Sequence, residues 1–92
     1  MEKEYKVKYF LEYVFLENEF KKWLEEKGYK PTYVETCVRF VRRVFKIFGK
    51  IPKVEDIELI KANYKNKKSI RNIKTAVRRY YDFLEEVFYF KP

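Results

Sequence analysis

Only two glycines and three prolines interrupt this chain of 92 residues. A β-sandwich or β-barrel of that length needs many tight turns, which glycine and proline usually supply. The two glycines, Gly28 and Gly49, instead follow long segments in which apolar side chains recur every three to four residues, the spacing of one helix face. Apolar residues make up 47% of the chain, which suffices for a core and excludes intrinsic disorder. The sequence therefore predicts a single all-α domain.

Stop signals divide the chain into four predicted helices, at about residues 8–27, 32–48, 54–64 and 69–88. Gly28 and Gly49 are typical of the position just after a helix. Pro31 suits a first helical turn, and Thr32 with Glu35 matches a capping box. Ser69 is the expected N-cap of the fourth helix. The predicted fold is a four-helix bundle of two helix-turn-helix hairpins. The predicted buried face of the first helix is Tyr9, Tyr13, Leu16, Phe20, Trp23 and Leu24.

The positive charge of this chain is segregated along the sequence. The formal net charge is +8, yet residues 1–27 contain six lysines and seven glutamates. Residues 36–54 and 61–81 contain basic side chains and no acid. On the second helix, Arg39, Arg42, Arg43 and Lys46 fall opposite the apolar face, and Arg71, Lys74 and Arg78 form a stripe on the fourth. Such segregation indicates a polyanionic partner.

Phosphate contact by these two helices would explain that distribution. Arg79 lies about 100° from the basic stripe of the fourth helix. The alternative for Arg79 is an ion pair with a glutamate instead of a phosphate contact. Residues 65–68 are expected to form a loop that clamps the phosphate backbone, just before Ser69. The predicted nucleic-acid-binding residues are Arg39, Arg42, Arg43, Lys46, Lys67, Lys68, Ser69, Arg71, Lys74 and Arg78.

Several chemistries are excluded by composition. The chain has no histidine and one cysteine, Cys37. It therefore lacks a disulfide framework, a Cys/His zinc site and a histidine-activated nucleophile. We expect a non-catalytic protein with no cofactor, no metal and no small-molecule substrate. Uncharged runs are too short to span a bilayer and the N-terminus lacks signal-peptide order, so the expected setting is intracellular, without membrane contact.

Short motifs along the chain carry a family resemblance. They are Gly28-Tyr29-Lys30-Pro31-Thr32, Val41-Arg42-Arg43, Phe48-Gly49, Val54-Glu55-Asp56-Ile57, Ser69-Ile70-Arg71-Asn72-Ile73 and Ala76-Val77-Arg78-Arg79-Tyr80-Tyr81-Asp82-Phe83-Leu84. Over about residues 19–86, the chain resembles the core-binding, SAM-like N-terminal domain of tyrosine recombinases of the phage-integrase type. The resemblance implies a four-helix bundle that grips duplex DNA with its second and fourth helices near the major groove, as a regulator or accessory factor in recombination or transcription.

This sequence also departs from the family pattern. Lys30 replaces the family's serine and Lys53 replaces the threonine before the third helix, so both departures add positive charge. The recombinase catalytic domain, with its nucleophilic tyrosine, has no counterpart here. The resemblance therefore implies DNA binding without strand cleavage.

The two apolar ends of the chain leave an alternative open. A segment that is apolar on every side needs burial on every side. The ends either pack on each other within one chain or form a homodimer interface. The interface candidates are Leu11, Val14, Phe15, Phe88 and Phe90. The alternative function is accordingly a protein-interaction bundle whose basic faces only keep it in solution.

Overall fold

The computed structural model describes residues 10–57 and 67–90, with the side chains of residues 67–69 left aside. Within these ranges lie three helices, α1 (Glu17–Glu26), α2 (Pro31–Phe48) and α3 (Lys67–Phe88). A helical turn at residues 10–13 precedes α1, and one 3₁₀ turn at residues 54–57 follows α2. These described ranges hold no β-strand, which confirms the all-α prediction. Of the predicted helix at 54–64, residues 58–64 lie outside the described residues.

The predicted helix over 8–27 is wrong, because residues 14–16 are not helical. The hydroxyl of Tyr80 on α3 accepts a hydrogen bond from the Leu16 N–H at 3.1 Å and donates one to the Val14 carbonyl at 3.5 Å. This side chain satisfies backbone groups that a continuous helix would pair internally. The break changes the register before α1, so Leu11 is 2% exposed and Tyr13, assigned to the core, is 43% exposed.

Both glycines end helices as predicted. Gly28 has a φ of 86°, its N–H donates to the Glu25 carbonyl, and the next N–H, of Tyr29, donates to the Leu24 carbonyl. These two bonds form a Schellman motif, which requires the left-handed conformation that glycine adopts readily. Gly49 follows α2 with a φ of 73°.

The predicted helix starts are displaced. α2 begins at Pro31 after an extended Lys30, and Lys30 makes no side-chain capping bond. Thr32 thus lies inside the helix, and the predicted capping box is wrong. α3 already includes Lys67 and Lys68, so Ser69 lies in its first turn rather than at the N-cap. Lysine is a good helix former, which is why the helix extends over residues assigned to a loop.

Aromatic rings fill the centre of the core, and the chain ends contribute to it. Tyr80 is fully buried, and the rings of Phe15, Phe20, Phe45 and Phe83 lie 5.0–5.6 Å from its centroid. Leu11 and Phe90 are buried, Phe15 packs half-buried against the core, and Val14 and Phe88 are exposed. Three of the five interface candidates therefore pack within their own chain.

The chain reverses after α3 at a residue that is not glycine. Tyr89 has a φ of 55° and is 87% exposed, and beyond it the Phe90 N–H donates to the Leu84 carbonyl at 3.2 Å. We expect Tyr89→Gly to raise the free energy of unfolding by about 0.5–1 kcal/mol, because it removes a left-handed Cβ without losing packing. Urea unfolding followed by Trp23 fluorescence measures this. Tyr89→Ala keeps the Cβ at the same φ and should change little; an equal gain in both variants would contradict the explanation.

Candidate nucleic-acid interface

The two helices that carry the predicted basic stripes pack directly on each other. α2 and α3 share a more extensive contact than either shares with α1. Their buried faces are apolar, with Val34, Val41 and Val44 from α2 and Ile73 and Val77 from α3. Because the apolar faces of both helices are buried in one core, the basic side chains of each helix face solvent. The fold thus places the two predicted DNA-binding helices side by side.

Four of the predicted binding residues are exposed and form no ion pair with any other described residue. These residues are Arg39 and Lys46 on α2 and Arg71 and Arg78 on α3. No carboxylate in the described ranges 10–57 and 67–90 lies within ion-pair distance of any of them. An exposed cation without an internal partner can neutralise an external phosphate at little cost to the fold. These four side chains are the strongest part of the predicted interface.

Arg42 differs from the prediction. Its Nε donates to Glu17 Oε1 at 2.7 Å, and its terminal nitrogen also pairs with that carboxylate. Arg42 therefore turns toward α1, whose first turn holds Glu17 where an acid favours the helix dipole. A helical projection of α2 alone carries no information about an acid on another helix, which is why this pair was missed.

The remaining predicted residues fall into two groups. Arg43 is exposed and Lys74 half-buried, and each interacts with another group of the protein. Lys67, Lys68 and Ser69 belong to the first turn of α3 rather than to a loop. The backbone at Lys67 and Lys68 is helical, so the predicted loop clamp is wrong at these two residues.

Arg79 joins α3 to the start of α2. Its Nε donates to the Tyr33 hydroxyl at 3.3 Å, its guanidinium carbon lies 5.4 Å from the Tyr29 ring centroid, and its terminal nitrogen lies 3.7 Å from Asp82. Burial raises the pKa of Tyr33, while the hydrogen bond from Arg79 acts in the opposite direction. The predicted separation of Arg79 from the basic stripe agrees with this geometry, although its acidic partner is an aspartate.

Cys37 lies on the buried face of α2, as its place in the apolar pattern predicts. Only 3% of the residue is exposed, and burial raises the pKa of its thiol.

Within the part of the chain that the structure describes, no three metal-ligating side chains form a cluster that could hold a metal ion. No helix in the same part is both long and apolar enough to cross a bilayer.

The sequence prediction followed charge and so overlooked neutral polar residues beside the cations. A shallow groove between α2 and α3 is lined by Thr32, Tyr33, Thr36, Cys37, Phe40, Asn72 and Thr75. Thr32 and Thr36 are four residues apart and therefore share one side of α2. The available sequence signal was the spacing of the two threonines beside Arg39. That spacing indicates a groove only when the position of α3 is known.

Comparison with known protein families, with curated proteins and with solved structures finds no significant match to this chain.

Proposed function

We propose that this protein is a non-catalytic module that binds duplex DNA through the exposed basic faces of α2 and α3. Its expected role is that of a regulator or accessory factor in recombination or transcription. The observation that carries the proposal is a set of four exposed cations, Arg39, Lys46, Arg71 and Arg78, on two helices packed side by side; none of them forms an ion pair with another described residue.

The distribution of acids supports a polyanionic partner. Glu17, Asp82 and Glu86 lie within ion-pair distance of Arg42, Arg79 and Lys27, respectively. These three acids are thus offset by their own neighbours, and no described carboxylate lies within ion-pair distance of the four cations. Three of those four cations are arginines, which bind phosphate and guanine in a bidentate manner that lysine cannot match. The resemblance to the recombinase core-binding domain favours duplex DNA among polyanions.

A salt titration of the unmodified protein tests the proposal. A short labelled duplex is titrated with protein at several salt concentrations between about 50 and 200 mM, by fluorescence anisotropy. If the four cations each neutralise one phosphate, the logarithm of the affinity should fall against the logarithm of salt with a slope of about −3 to −4. A single strand of the same sequence should bind more weakly.

The same samples separate the alternative function from DNA binding. A protein-interaction bundle predicts oligomers by light scattering and no salt-dependent affinity for the duplex. That pair of results would contradict the proposal. A monomer or dimer that binds the duplex with the expected slope would support it.

A further inference from the structure

Three surface grooves adjoin one another across the basic helices. The groove between α2 and α3 is the smallest of the three, about 240 Å³, and no lysine, arginine, aspartate or glutamate lines it. It shares Thr32 and Thr36 with a groove of about 560 Å³ between α1 and α2, and Thr75 with a groove of about 700 Å³ beside the 3₁₀ turn. The neutral α2/α3 groove therefore lies between two outer grooves, the α1/α2 groove and the 3₁₀ groove.

Each outer groove holds one arginine of the proposed interface together with a lysine from outside α2 and α3. Arg39 lines the α1/α2 groove with Lys21 of α1. Arg78 lines the 3₁₀ groove with Lys53, which lies between α2 and the 3₁₀ turn. All four side chains are exposed, and no described carboxylate lies within ion-pair distance of any of them. Neither lysine is among the predicted nucleic-acid-binding residues.

The α1/α2 groove is positive in spite of its acids. Three cations line it against two carboxylates, those of Glu17 and Glu35. Glu17 is paired with Arg42, so Lys21 and Arg39 share the groove with one remaining carboxylate, that of Glu35. Lys21 and Arg39 can therefore neutralise a phosphate without breaking an ion pair with a described residue.

The 3₁₀ groove has the same balance of charges. Three cations line it against two carboxylates, those of Glu55 and Asp82. Asp82 lies 3.7 Å from Arg79, so Lys53 and Arg78 share the groove with one remaining carboxylate, that of Glu55. Each outer groove thus keeps an excess of one positive charge, and the groove between them is neutral.

This alternation of positive, neutral and positive grooves favours an extended polyanion. A single phosphate or another small anion can contact the cations of only one outer groove at a time, because the α2/α3 groove separates them. Duplex DNA carries one negative charge about every 1.7 Å along its axis, so a duplex that lies across this surface presents phosphates to both outer grooves at once. Both outer grooves attract the same ligand.

We propose that the DNA-binding surface extends beyond α2 and α3 on both sides, to Lys21 on α1 and to Lys53 after α2. Lys21 neutralises a phosphate beside Arg39, and Lys53 neutralises a phosphate beside Arg78. This inference rests on the proposed function and enlarges its footprint to all three grooves. Because phosphate contacts carry no base information, the two lysines add affinity without adding base preference.

Removing the two lysines together tests the extension. Two further phosphate contacts should steepen the salt slope of the unmodified protein from the value of about −3 to −4 that four contacts give to about −5 to −6. Lys21→Ala/Lys53→Ala should therefore make the slope shallower by about 2 and lower duplex affinity about tenfold at low salt. Fluorescence anisotropy at several salt concentrations measures both quantities, and circular dichroism with urea unfolding checks that the variant is folded.

Lys22→Ala/Lys50→Ala provides the matched control, since it removes the same charge from neighbouring positions. Lys22 and Lys50 are exposed, form no ion pair with a described residue and line none of the three grooves. This variant should bind the duplex within about threefold of the unmodified protein, because salt screens charges that lie away from the phosphates.

The two double variants separate this extension from the proposed function. A larger loss of affinity and of salt slope in Lys21→Ala/Lys53→Ala than in the control supports the extension. If the unmodified protein binds with a slope of about −3 to −4 and the two variants bind alike, the extension is wrong while the proposed function stands. If the unmodified protein shows no salt-dependent binding, both are wrong.

Discussion

Replacing Tyr80 with alanine is expected to lower the free energy of unfolding by about 4 kcal/mol, a large part of the stability of a small domain. Tyr80 is fully buried and lies within 6 Å, centroid to centroid, of four other aromatic rings. These rings come from α1, α2, α3 and the segment before α1. Truncation would leave a cavity where all of these parts meet, and the surrounding helices can collapse only in part.

The hydroxyl of Tyr80 has its own, smaller contribution. Burial raises the pKa of Tyr80 to about 12, still further above neutral pH, and the protonated hydroxyl bonds both Leu16 and Val14. Tyr80→Phe keeps the ring but leaves the Leu16 N–H without this acceptor, which should cost about 1–2 kcal/mol. The unmodified protein should therefore be the most stable, Tyr80→Phe intermediate and Tyr80→Ala the least stable.

Urea unfolding followed by the fluorescence of Trp23, the one tryptophan, measures both variants. Tyr89→Ala is the matched control, because it deletes the same side chain where 87% of the residue is exposed. It should stay within about 0.5 kcal/mol of the unmodified protein. An alanine variant at Tyr80 that is as stable as this control would contradict the central packing role.

Local signals account for what the sequence predicted well. The ends of α1 and α2 were predictable because a left-handed residue after a helix is usually glycine, and the chain has one at each place. Helical spacing predicts a buried face for the fourth helix. Its residues are Ile70, Ile73, Val77, Tyr80, Tyr81 and Leu84, and all are buried except the half-buried Tyr81. Each of these features depends on residues within a few positions of one another.

Two of the features that were not predicted depend on distant residues. The helix break at residues 14–16 is stabilised by the hydroxyl of Tyr80. The side chains of residues 14–16 are apolar and give no turn signal of their own. Similarly, Arg42 and Glu17 are 25 positions apart and on different helices. Helical projections describe one helix at a time, so they give the face on which Arg42 lies but not the acid that neutralises it.

Reversing the charge at one exposed position on α2 and one on α3 should nearly abolish DNA binding. In Arg39→Glu/Arg71→Glu, two attractive contacts become repulsive, and no described acid compensates for either arginine in the unmodified protein. We expect at least about a hundredfold loss of duplex affinity at low salt and a salt slope shallower by about 2. Fluorescence anisotropy at several salt concentrations measures both quantities.

Net charge alone would predict the same loss from any two such reversals, and Lys22→Glu/Lys27→Glu separates the two explanations. Both double variants lower the formal net charge by four, from +8 to +4. Lys22 and Lys27 are exposed residues at α1, and losing the Lys27–Glu86 surface ion pair should cost little stability. Attraction between exposed charges is screened beyond about 10 Å at 0.1 M salt, so a reversal outside the interface should weaken binding only a few-fold. If the α1 variant instead loses as much affinity as Arg39→Glu/Arg71→Glu, binding depends on overall charge and the α2 and α3 faces are not the interface.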